Sequence, residues 1–143
     1  MPETVTEVGA TFASDPLRLR EARRWLVGLV LGAGYAPGDA QALAVAFSEA
    51  CTNVHRHAYH GRRDGRIGLR VAIDGERVVL TLEHEGEAFD PATYAPPDLK
   101  RPSESGYGLY LITSLVDEVS FERMPLGGRV VLVKRRNRPS VHG

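Results

Sequence analysis

The chain has 143 residues, of which 43% are hydrophobic and 25% charged, as expected of one globular domain with a buried core. Its 18 basic residues balance its 18 acidic ones, so bulk charge favours neither nucleic acid nor an anionic membrane as a partner. A single cysteine excludes an internal disulfide framework, and no signal peptide or membrane-spanning stretch is evident, so we expect a cytoplasmic protein.

The first part of the chain predicts a strand followed by a helix. Residues 4–12 favour a strand, although apolar and polar residues alternate poorly there. Ser14-Asp15-Pro16 places a capping residue before a proline, so we expect a helix from there to about Leu31. One flank of this helix is basic and is either a solvated face or a contact for an acidic partner; it consists of Arg18, Arg20, Arg23 and Arg24.

A second helix is expected after a glycine-rich loop at 32–38. Asp39 is positioned to cap its start, and the helix is expected to end near Tyr59. Cys51 is interpreted as a small core residue, since nothing nearby in the sequence would activate its thiol. The apolar back of the helix is formed by Leu43, Phe47, Cys51 and Val54.

The opposite side of this helix carries polar side chains in one row. Glu49 and Asn53 are four residues apart and therefore lie on one face, about 40° apart around the axis. His57, four residues further on, continues the row. A carboxylate can accept a proton from a hydroxyl, and an amide oxygen in line with it can hold a hard cation such as Mg²⁺. The same row would also suit an ordinary solvated helix face.

Three histidines, His55, His57 and His60, cluster at the end of this helix. A metal site needs side chains that converge at ligand spacing, and His55 is expected to point away from the other two. The favoured interpretation is a polar helix terminus, with His57 packed or hydrogen-bonded beside the candidate site.

The rest of the chain predicts two hairpins separated by a loop and a third helix. The alternating segments Arg66–Ile73 and Arg77–His84 flank Asp74-Gly75, which is a strong hairpin signal. The third helix is expected from about Gly108. The second hairpin is expected to pair Val119–Arg123 with Arg129–Lys134.

This order of elements predicts an α+β fold. We expect a two-layer α/β sandwich in which a mixed or antiparallel sheet carries helices on one face. The other face of the sheet is expected to be partly polar or covered by a partner. Residues 1–143 are expected to form a single domain, with its core at about 14–135 and a frayed tail at 136–143.

Two glycine-bearing segments bracket a proline-rich loop at 92–105. In the first, Gly86 would allow close backbone approach by a ligand, and Phe89 would be an inward anchor. In the second, Gly106 and Gly108 stand directly before the third helix, where free N–H groups and the positive end of the helix dipole favour phosphate. A flexible turn that caps the helix would give the same pattern.

Four segments match, in order and spacing, the pattern of one known family. They are Glu49-Ala50-x-x-Asn53-x-x-x-His57-Ala58-Tyr59, Gly86-x-x-Phe89-Asp90-Pro91, Gly106-x-Gly108-Leu109-x-Leu111-Ile112 and Asp117-Glu118-Val119. The pattern resembles the bacterial anti-sigma factor serine/threonine-protein kinases and their histidine kinase-like ATPase domain, the Bergerat-type fold of the GHKL group. The resemblance covers roughly residues 17–135.

The resemblance implies a role for each matching position. Glu49 would be the catalytic general base on the hydroxyl of a protein substrate, and Asn53 would ligate the Mg²⁺ that bridges the phosphates of ATP. Gly106 and Gly108 would cradle those phosphates, and the loop at 92–105 would be the ATP lid. Further cofactor-binding residues are expected among the lid cations and the residues around the two glycine segments: His57, His84, Gly86, Phe89, Lys100, Arg101, Tyr107 and Leu109.

The resemblance also implies an activity and partners. With ATP and Mg²⁺ as cofactors, the chain would phosphorylate a serine or threonine of a small anti-anti-sigma (STAS) protein. A sigma factor is the alternative partner, and family members act as homodimers. Neither nucleic acid nor a membrane is expected to bind directly. A stand-alone ATPase domain that serves a separate sensor protein is a further alternative.

One position departs from the family pattern. The residue two before the first glycine is usually an aspartate that accepts a hydrogen bond from the adenine amino group, and here it is His84. A neutral imidazole can accept one hydrogen bond, but it is bulkier and can become cationic. Glu83 and Glu85 point to the other face of the strand and cannot substitute. Two functions therefore stay open: a serine/threonine-protein kinase, and a non-catalytic partner-binding module with weakened or lost ATP binding.

Overall fold

Five strands form one antiparallel sheet, and three helices pack against one of its faces. The computed structural model describes residues 6–87 and 104–137. Its elements in chain order are β1 (Thr6–Ala13), α1 (Pro16–Gly32), α2 (Pro37–Asn53), a π-helical turn (Val54–Ala58), β2 (Arg66–Ile73), β3 (Arg77–Glu85), α3 (Glu104–Leu115), β4 (Glu118–Met124) and β5 (Gly127–Arg135).

The sheet has the strand order β1-β2-β3-β5-β4, and every neighbouring pair is antiparallel. The predicted α+β sandwich is therefore confirmed, with an antiparallel rather than a mixed sheet. The β2–β3 hairpin forms at the predicted Asp74-Gly75 turn. The carboxylate of Asp74 accepts hydrogen bonds from the backbone N–H groups of Glu76 at 2.7 Å and Arg77 at 2.9 Å, which fixes the register of the two strands.

Side chains alternate between the two faces of the sheet, as the period of two requires. On the helix side of β2 and β3, the apolar side chains are buried against α1, α2 and α3; they are Ile67, Leu69, Val71, Ile73, Val78, Leu80 and Leu82. The opposite face carries charged and polar groups. Arg129 on this face bonds both Glu83 at 3.0 Å and Glu122 at 3.2 Å, which confirms that the face is partly polar.

The start of α1 is capped as predicted, whereas the start of α2 is not. Asp15 caps α1 as predicted, because its carboxylate accepts a hydrogen bond from the N–H of Leu17 at 2.8 Å. The prediction that Asp39 caps α2 is wrong: Ala36 occupies the cap position, and Pro37 is the first helical residue. A proline suits that position because its fixed φ is already helical.

Asp39 has a structural role instead of a capping one. It is only 1% exposed, and its carboxylate lies 3.6 Å from the ammonium of Lys134 on β5. It also accepts a hydrogen bond from the backbone N–H of Asn137 at 3.1 Å. The carboxylate of Asp117 lies 3.9 Å from the same ammonium. This buried group joins the start of α2 to the end of the sheet.

The second and third helices also differ from the prediction in their extent. The α-helical part of α2 ends at Asn53, and a π-helical turn, in which Tyr59 N–H donates to Val54 C=O at 3.1 Å, replaces its expected last turn. α3 is described from Glu104, four residues before its expected start at Gly108.

The end of β5 continues into contacts with the loop before α2. Of the tail that was expected to fray, Arg136 donates a hydrogen bond to Gly34 C=O at 2.6 Å and stacks on the ring of Tyr35. Residues 138–143 lie outside the described residues. Among the helices of the described ranges, none has both the length and the apolar character needed to cross a bilayer.

Candidate functional site

The polar row of α2 begins with Glu49 and Asn53. The back of the same helix is buried, as predicted, since Leu43, Phe47 and Cys51 are all inaccessible. This packing orients the opposite face, on which Glu49 and Asn53 are both half-buried. Within the described residues, Glu49 forms no hydrogen bond or ion pair. Its carboxylate is therefore available to accept a proton.

Asn53 carries a buried polar atom without a partner. Its side-chain nitrogen is buried and has no hydrogen bond among the described residues. Buried amide groups are nearly always hydrogen-bonded, so this atom at the end of a helix is a candidate contact for a ligand or a partner. The two ends of an amide are interchangeable by a half-turn, so the group can present either its oxygen or its nitrogen to that ligand.

His57 lies in the π-helical turn that follows Asn53. Its place in the row of Glu49 and Asn53 stays a prediction. The imidazole of His57 is exposed. His55 points elsewhere, as expected, because its Nδ1 is hydrogen-bonded to the hydroxyl of the buried Ser14 at 2.7 Å.

Tyr59 joins the end of this turn to the sheet. Its hydroxyl accepts a hydrogen bond from the backbone N–H of Glu85 at 3.0 Å and donates one to the carbonyl oxygen of Arg66. Its ring lies against Gly65, where an added Cβ would come within 2.4 Å of the ring. In the sequence, Tyr59 stands out only as the end of a motif and of the predicted helix. The glycine six residues after it was the available signal, but the fold is needed to bring the two together.

The chain turns sharply at Gly86, directly after β3. Its φ is +83°, and a Cβ at this position would lie 2.3 Å from the carbonyl oxygen of Ala58 in the π turn. Only glycine fits both conditions. The backbone after β3 is thus in direct contact with the π turn that follows Asn53.

His84 lies on the helix side of β3, two residues before this glycine. It is 9% exposed, and its ring stands edge-on to the ring of Tyr59, with the ring centres 6.4 Å apart. Its Nδ1 lies 2.8 Å from the backbone carbonyl oxygen of Glu85. Glu83 and Glu85 are exposed on the opposite face, as their positions on the strand predict.

The second glycine segment lies inside α3 rather than before it. Because α3 is described from Glu104, the N–H of Gly106 is one of the first-turn groups that lack an intrahelical partner, whereas Gly108 lies one turn further. The prediction that both glycines precede the helix is therefore wrong. Tyr107 lies between them in the helix, and the side chain of Leu109 is 4% exposed in the core. Phe89, Lys100 and Arg101 lie outside the described residues, as does the predicted lid except for its last two residues.

A basic groove of about 720 Å³ runs between α1 and the neighbouring side of α2. Its lining, as far as the structure describes it, contains no acidic side chain. Hydroxyl groups of Ser48 and Thr52 form part of its wall. Its basic side chains are Arg20, Arg23, His55, Arg56 and His60. Positive charge gathered on one surface of a neutral chain favours an anionic partner.

Cys51 takes no part in this site. Burial raises the pKa of its thiol, so the sulfur stays protonated in the folded core. The interpretation of Cys51 as a core residue is confirmed. Within the described ranges, no three side chains of His, Cys, Asp or Glu converge as a metal site.

Comparison with known proteins agrees with this architecture. Residues 12–134 match the family model of the histidine kinase-like ATPase domain. The serine-protein kinase RsbW of Bacillus licheniformis is 33% identical, over 83% of this chain and 79% of that protein. The RsbW of Bacillus pumilus is 32% identical, over 99% of this chain and 93% of that protein.

A solved structure has the same fold. It is the crystal structure of the RsbU and RsbW domains of Rv1364c from Mycobacterium tuberculosis. Part of that structure superposes on 94% of this chain, with a TM-score of 0.70 at 20% sequence identity. This chain spans about a third of that longer protein, 34% of its length. The chain belongs to the histidine kinase-like ATPase family and, within it, to the anti-sigma factor serine-protein kinases related to RsbW.

Proposed function

We propose that this chain binds ATP with Mg²⁺ and transfers a phosphoryl group to a serine or threonine of an anti-anti-sigma (STAS) protein. The observation that carries the proposal is the polar row of α2. In a chain of this family, it combines the carboxylate of Glu49 with the amide of Asn53, whose nitrogen is buried, one helical turn apart; neither the carboxylate nor that nitrogen has a partner among the described residues.

The residues of the row fit the cofactor in chemical terms. The amide of Asn53 would supply the neutral oxygen ligand that Mg²⁺ accepts, because no hydrogen bond among the described residues holds the amide in the opposite orientation. Bound ATP would supply the phosphoryl group. Glu49 would accept the proton of the attacking hydroxyl, while the surrounding backbone would position the reactants and exclude water.

The nucleotide would extend from Asn53 towards the end of β3. Gly86 leaves room there for close backbone approach, and His84 lies two residues before it. Gly106 would offer a first-turn N–H of α3 to phosphate. The other cofactor-binding residues that we propose are His57, Phe89, Lys100, Arg101, Tyr107, Gly108 and Leu109.

The partner would bind beside this site. The basic groove between α1 and α2 contains hydroxyls and five basic side chains, which favours an acidic protein surface. A STAS protein that presents its serine to Glu49 would suit it, and a sigma factor is the alternative occupant. We further propose that the chain is a cytoplasmic homodimer, as the resemblance to its family implies.

A phosphoryl-transfer assay tests the enzyme assignment. Purified chain is incubated with ATP labelled at the γ-phosphate, Mg²⁺ and the STAS proteins encoded in the same genome. Removal of a general base typically lowers the rate between about 100- and 10,000-fold, so Glu49→Gln should lose transfer and keep nucleotide affinity. Gln41→Ala, an exposed change on the same helix outside the groove, serves as a control for helix damage. An unchanged transfer rate in Glu49→Gln would contradict the role of Glu49.

A second function is favoured by one specific observation, the presence of His84 where the family has aspartate. A chain that cannot hold the base would act as a non-catalytic module that binds its partner through the basic groove. Such a module would bind a sigma factor or a STAS protein equally well with and without ATP. Nucleotide-dependent partner binding together with transfer would exclude it.

A further inference from the structure

Ser14, between β1 and α1, joins the start of the sheet to the π-helical turn. It is completely buried, and its backbone N–H donates to the carbonyl oxygen of Gly65, just before β2, at 2.7 Å. Its hydroxyl lies 2.7 Å from Nδ1 of His55 in the π turn. The N–H of Gly61 donates to the carbonyl oxygen of His55 at 2.8 Å. The imidazole of His55 is therefore held both at a ring nitrogen and through its backbone.

The hydroxyl of Ser14 decides which nitrogen of His55 carries the hydrogen. Among the described residues, Nδ1 of His55 is the only hydrogen-bond partner of this hydroxyl. If Nδ1 were the donor, the buried O–H group would have no acceptor, and folded proteins rarely leave a buried polar group in that state. The hydroxyl is therefore the donor and Nδ1 the acceptor. In the neutral ring, the hydrogen is then on Nε2.

His55 forms part of the wall of the basic groove between α1 and α2, whereas Ser14 does not. Because Nδ1 is directed at Ser14, the ring nitrogen that remains for the groove is Nε2. Within the described residues, Arg20 and Arg23 in the same wall form no hydrogen bond or ion pair. These three side chains offer N–H donors only, so the groove suits a group that only accepts hydrogen bonds, such as a carboxylate.

We propose that Ser14 presets the Nε2–H group of His55 as an uncharged donor in the groove, and that this group binds a carboxylate oxygen of an Asp or Glu side chain of the partner protein. The proposal rests on the partner site proposed above and names one contact within it. Ser14 is a positioning residue, since it acts through His55. The arginines attract an acidic surface over a distance, whereas a donor of fixed direction selects where one acidic side chain lies.

Affinity for the partner tests the contact. Calorimetry measures the Kd of the STAS proteins encoded in the same genome, at about pH 8, at which free imidazole is neutral. His55→Phe keeps a ring but removes the donor, and the loss of a hydrogen bond to a charged acceptor corresponds to roughly ten- to a hundredfold in Kd. Ser14→Ala releases the ring, and immobilising it again on binding should weaken the complex by roughly two- to tenfold.

A double variant separates positioning from structural damage. Ser14→Ala in the His55→Phe background should cause no further loss of affinity, because the ring that Ser14 positions is no longer there. The double variant also leaves no buried hydroxyl without a partner, so it should unfold in urea at the same concentration as the wild type. If Ser14→Ala lowers the affinity by the same factor in both backgrounds, Ser14 has only a structural role and the proposal is wrong.

Salt separates the contact of His55 from the charge of the arginines. The factor lost in His55→Phe should be the same at about 0.05 M and about 0.5 M salt, whereas the factor lost in Arg23→Gln should shrink at the higher concentration. A factor for His55→Phe that shrinks in the same way would contradict an uncharged donor. In the chain without partner, the nitrogen chemical shifts of His55 should show the Nε2–H tautomer by NMR, and an Nδ1–H tautomer would overturn the role of Ser14.

Failure of this contact and failure of the proposed function give different results. Equal affinity of a STAS protein for the wild type and for His55→Phe would overturn the contact and leave the proposed function standing. Tighter binding of the phosphorylated STAS protein, with the same dependence on His55, would assign a phosphoryl oxygen and overturn the carboxylate. Binding that depends on His55 but leads to no phosphoryl transfer would support the contact and overturn the kinase assignment. No binding of any STAS protein or sigma factor of the genome would overturn the partner site, and the contact with it.

Discussion

Replacing Tyr59 by phenylalanine should loosen the junction between the π turn and the sheet. The change removes only the hydroxyl, which accepts from the N–H of Glu85 at 3.0 Å and donates to the carbonyl oxygen of Arg66. The ring stays in place, so no cavity forms. Two hydrogen bonds of about 1 kcal/mol each give an expected loss of about 2 kcal/mol in the free energy of unfolding. In a domain of this size the melting temperature should fall by roughly 4–8 °C.

Tyr35 provides the matched control. Its hydroxyl donates a single hydrogen bond, to the carbonyl oxygen of Asp74 at 2.6 Å, at a distance from the candidate site. Tyr35→Phe should therefore cost about 1 kcal/mol, half the loss expected for Tyr59→Phe. Urea unfolding followed by circular dichroism measures both, with the same dependence on urea concentration as the wild type.

Nucleotide affinity distinguishes the two tyrosines further. Because Tyr59 holds the end of β3 next to the π turn, Tyr59→Phe should weaken ADP binding, whereas Tyr35→Phe should leave it unchanged. Equal stability losses in the two variants would contradict the view that Tyr59 makes two effective bonds. An equal ADP affinity in Tyr59→Phe and in the wild type would refute its role in positioning the site.

Three other properties can be checked by unfolding and labelling. Asp39→Ala should destabilise the fold by about 3–5 kcal/mol in urea, because it leaves the buried ammonium of Lys134 3.9 Å from only one, partly exposed carboxylate. Adding Lys134→Met should restore most of that loss, and a double variant no more stable than Asp39→Ala would count against the buried pair. Backbone hydrogen bonds lower the pKa of Asp74 below its usual 3.8, so its stabilising effect should be complete above about pH 4 and disappear as pH falls through the lowered pKa. The stability difference between the wild type and Asp74→Ala should shrink as the pH falls, and a difference that is constant with pH would contradict the stabilising role of these hydrogen bonds. Burial raises the pKa of Cys51, so a thiol reagent at pH 8 should label it only after unfolding, and rapid labelling of the folded protein would show that the core assignment is wrong.

The local sequence was sufficient to predict the elements that depend on residues close together in the chain. Asp15 before Pro16 begins α1, Asp74-Gly75 turns the first hairpin, and the alternation of β2 places Ile67 and Leu69 in the core. Each of these depends on a few adjacent residues, so periodicity and capping rules identify it. The family pattern added the order of the glycine segments along the chain.

The parts that could not be predicted depend on contacts between distant segments. Asp39 is a residue type that often caps a helix. Its role here is decided instead by its buried ion pair with Lys134, which is 95 positions further along the chain. The π turn after Asn53 has no sequence signature, and its contact with Gly86 comes from a distant part of the chain. The bond between His84 and Glu85 is local, yet the burial of the His84 ring beside Tyr59 follows only from the fold.

Calorimetric titration with ADP in the presence and absence of Mg²⁺ tests the central claim most directly. Wild-type protein is compared with Asn53→Ala and with Thr52→Ala, a change on the same turn whose hydroxyl bonds only to Ser48 of its own helix among the described residues. The proposed site predicts Mg²⁺-dependent binding in the wild type and in Thr52→Ala, with the Mg²⁺ dependence lost in Asn53→Ala. Binding that is indifferent to Mg²⁺ and to Asn53, or no binding at millimolar nucleotide, would contradict it.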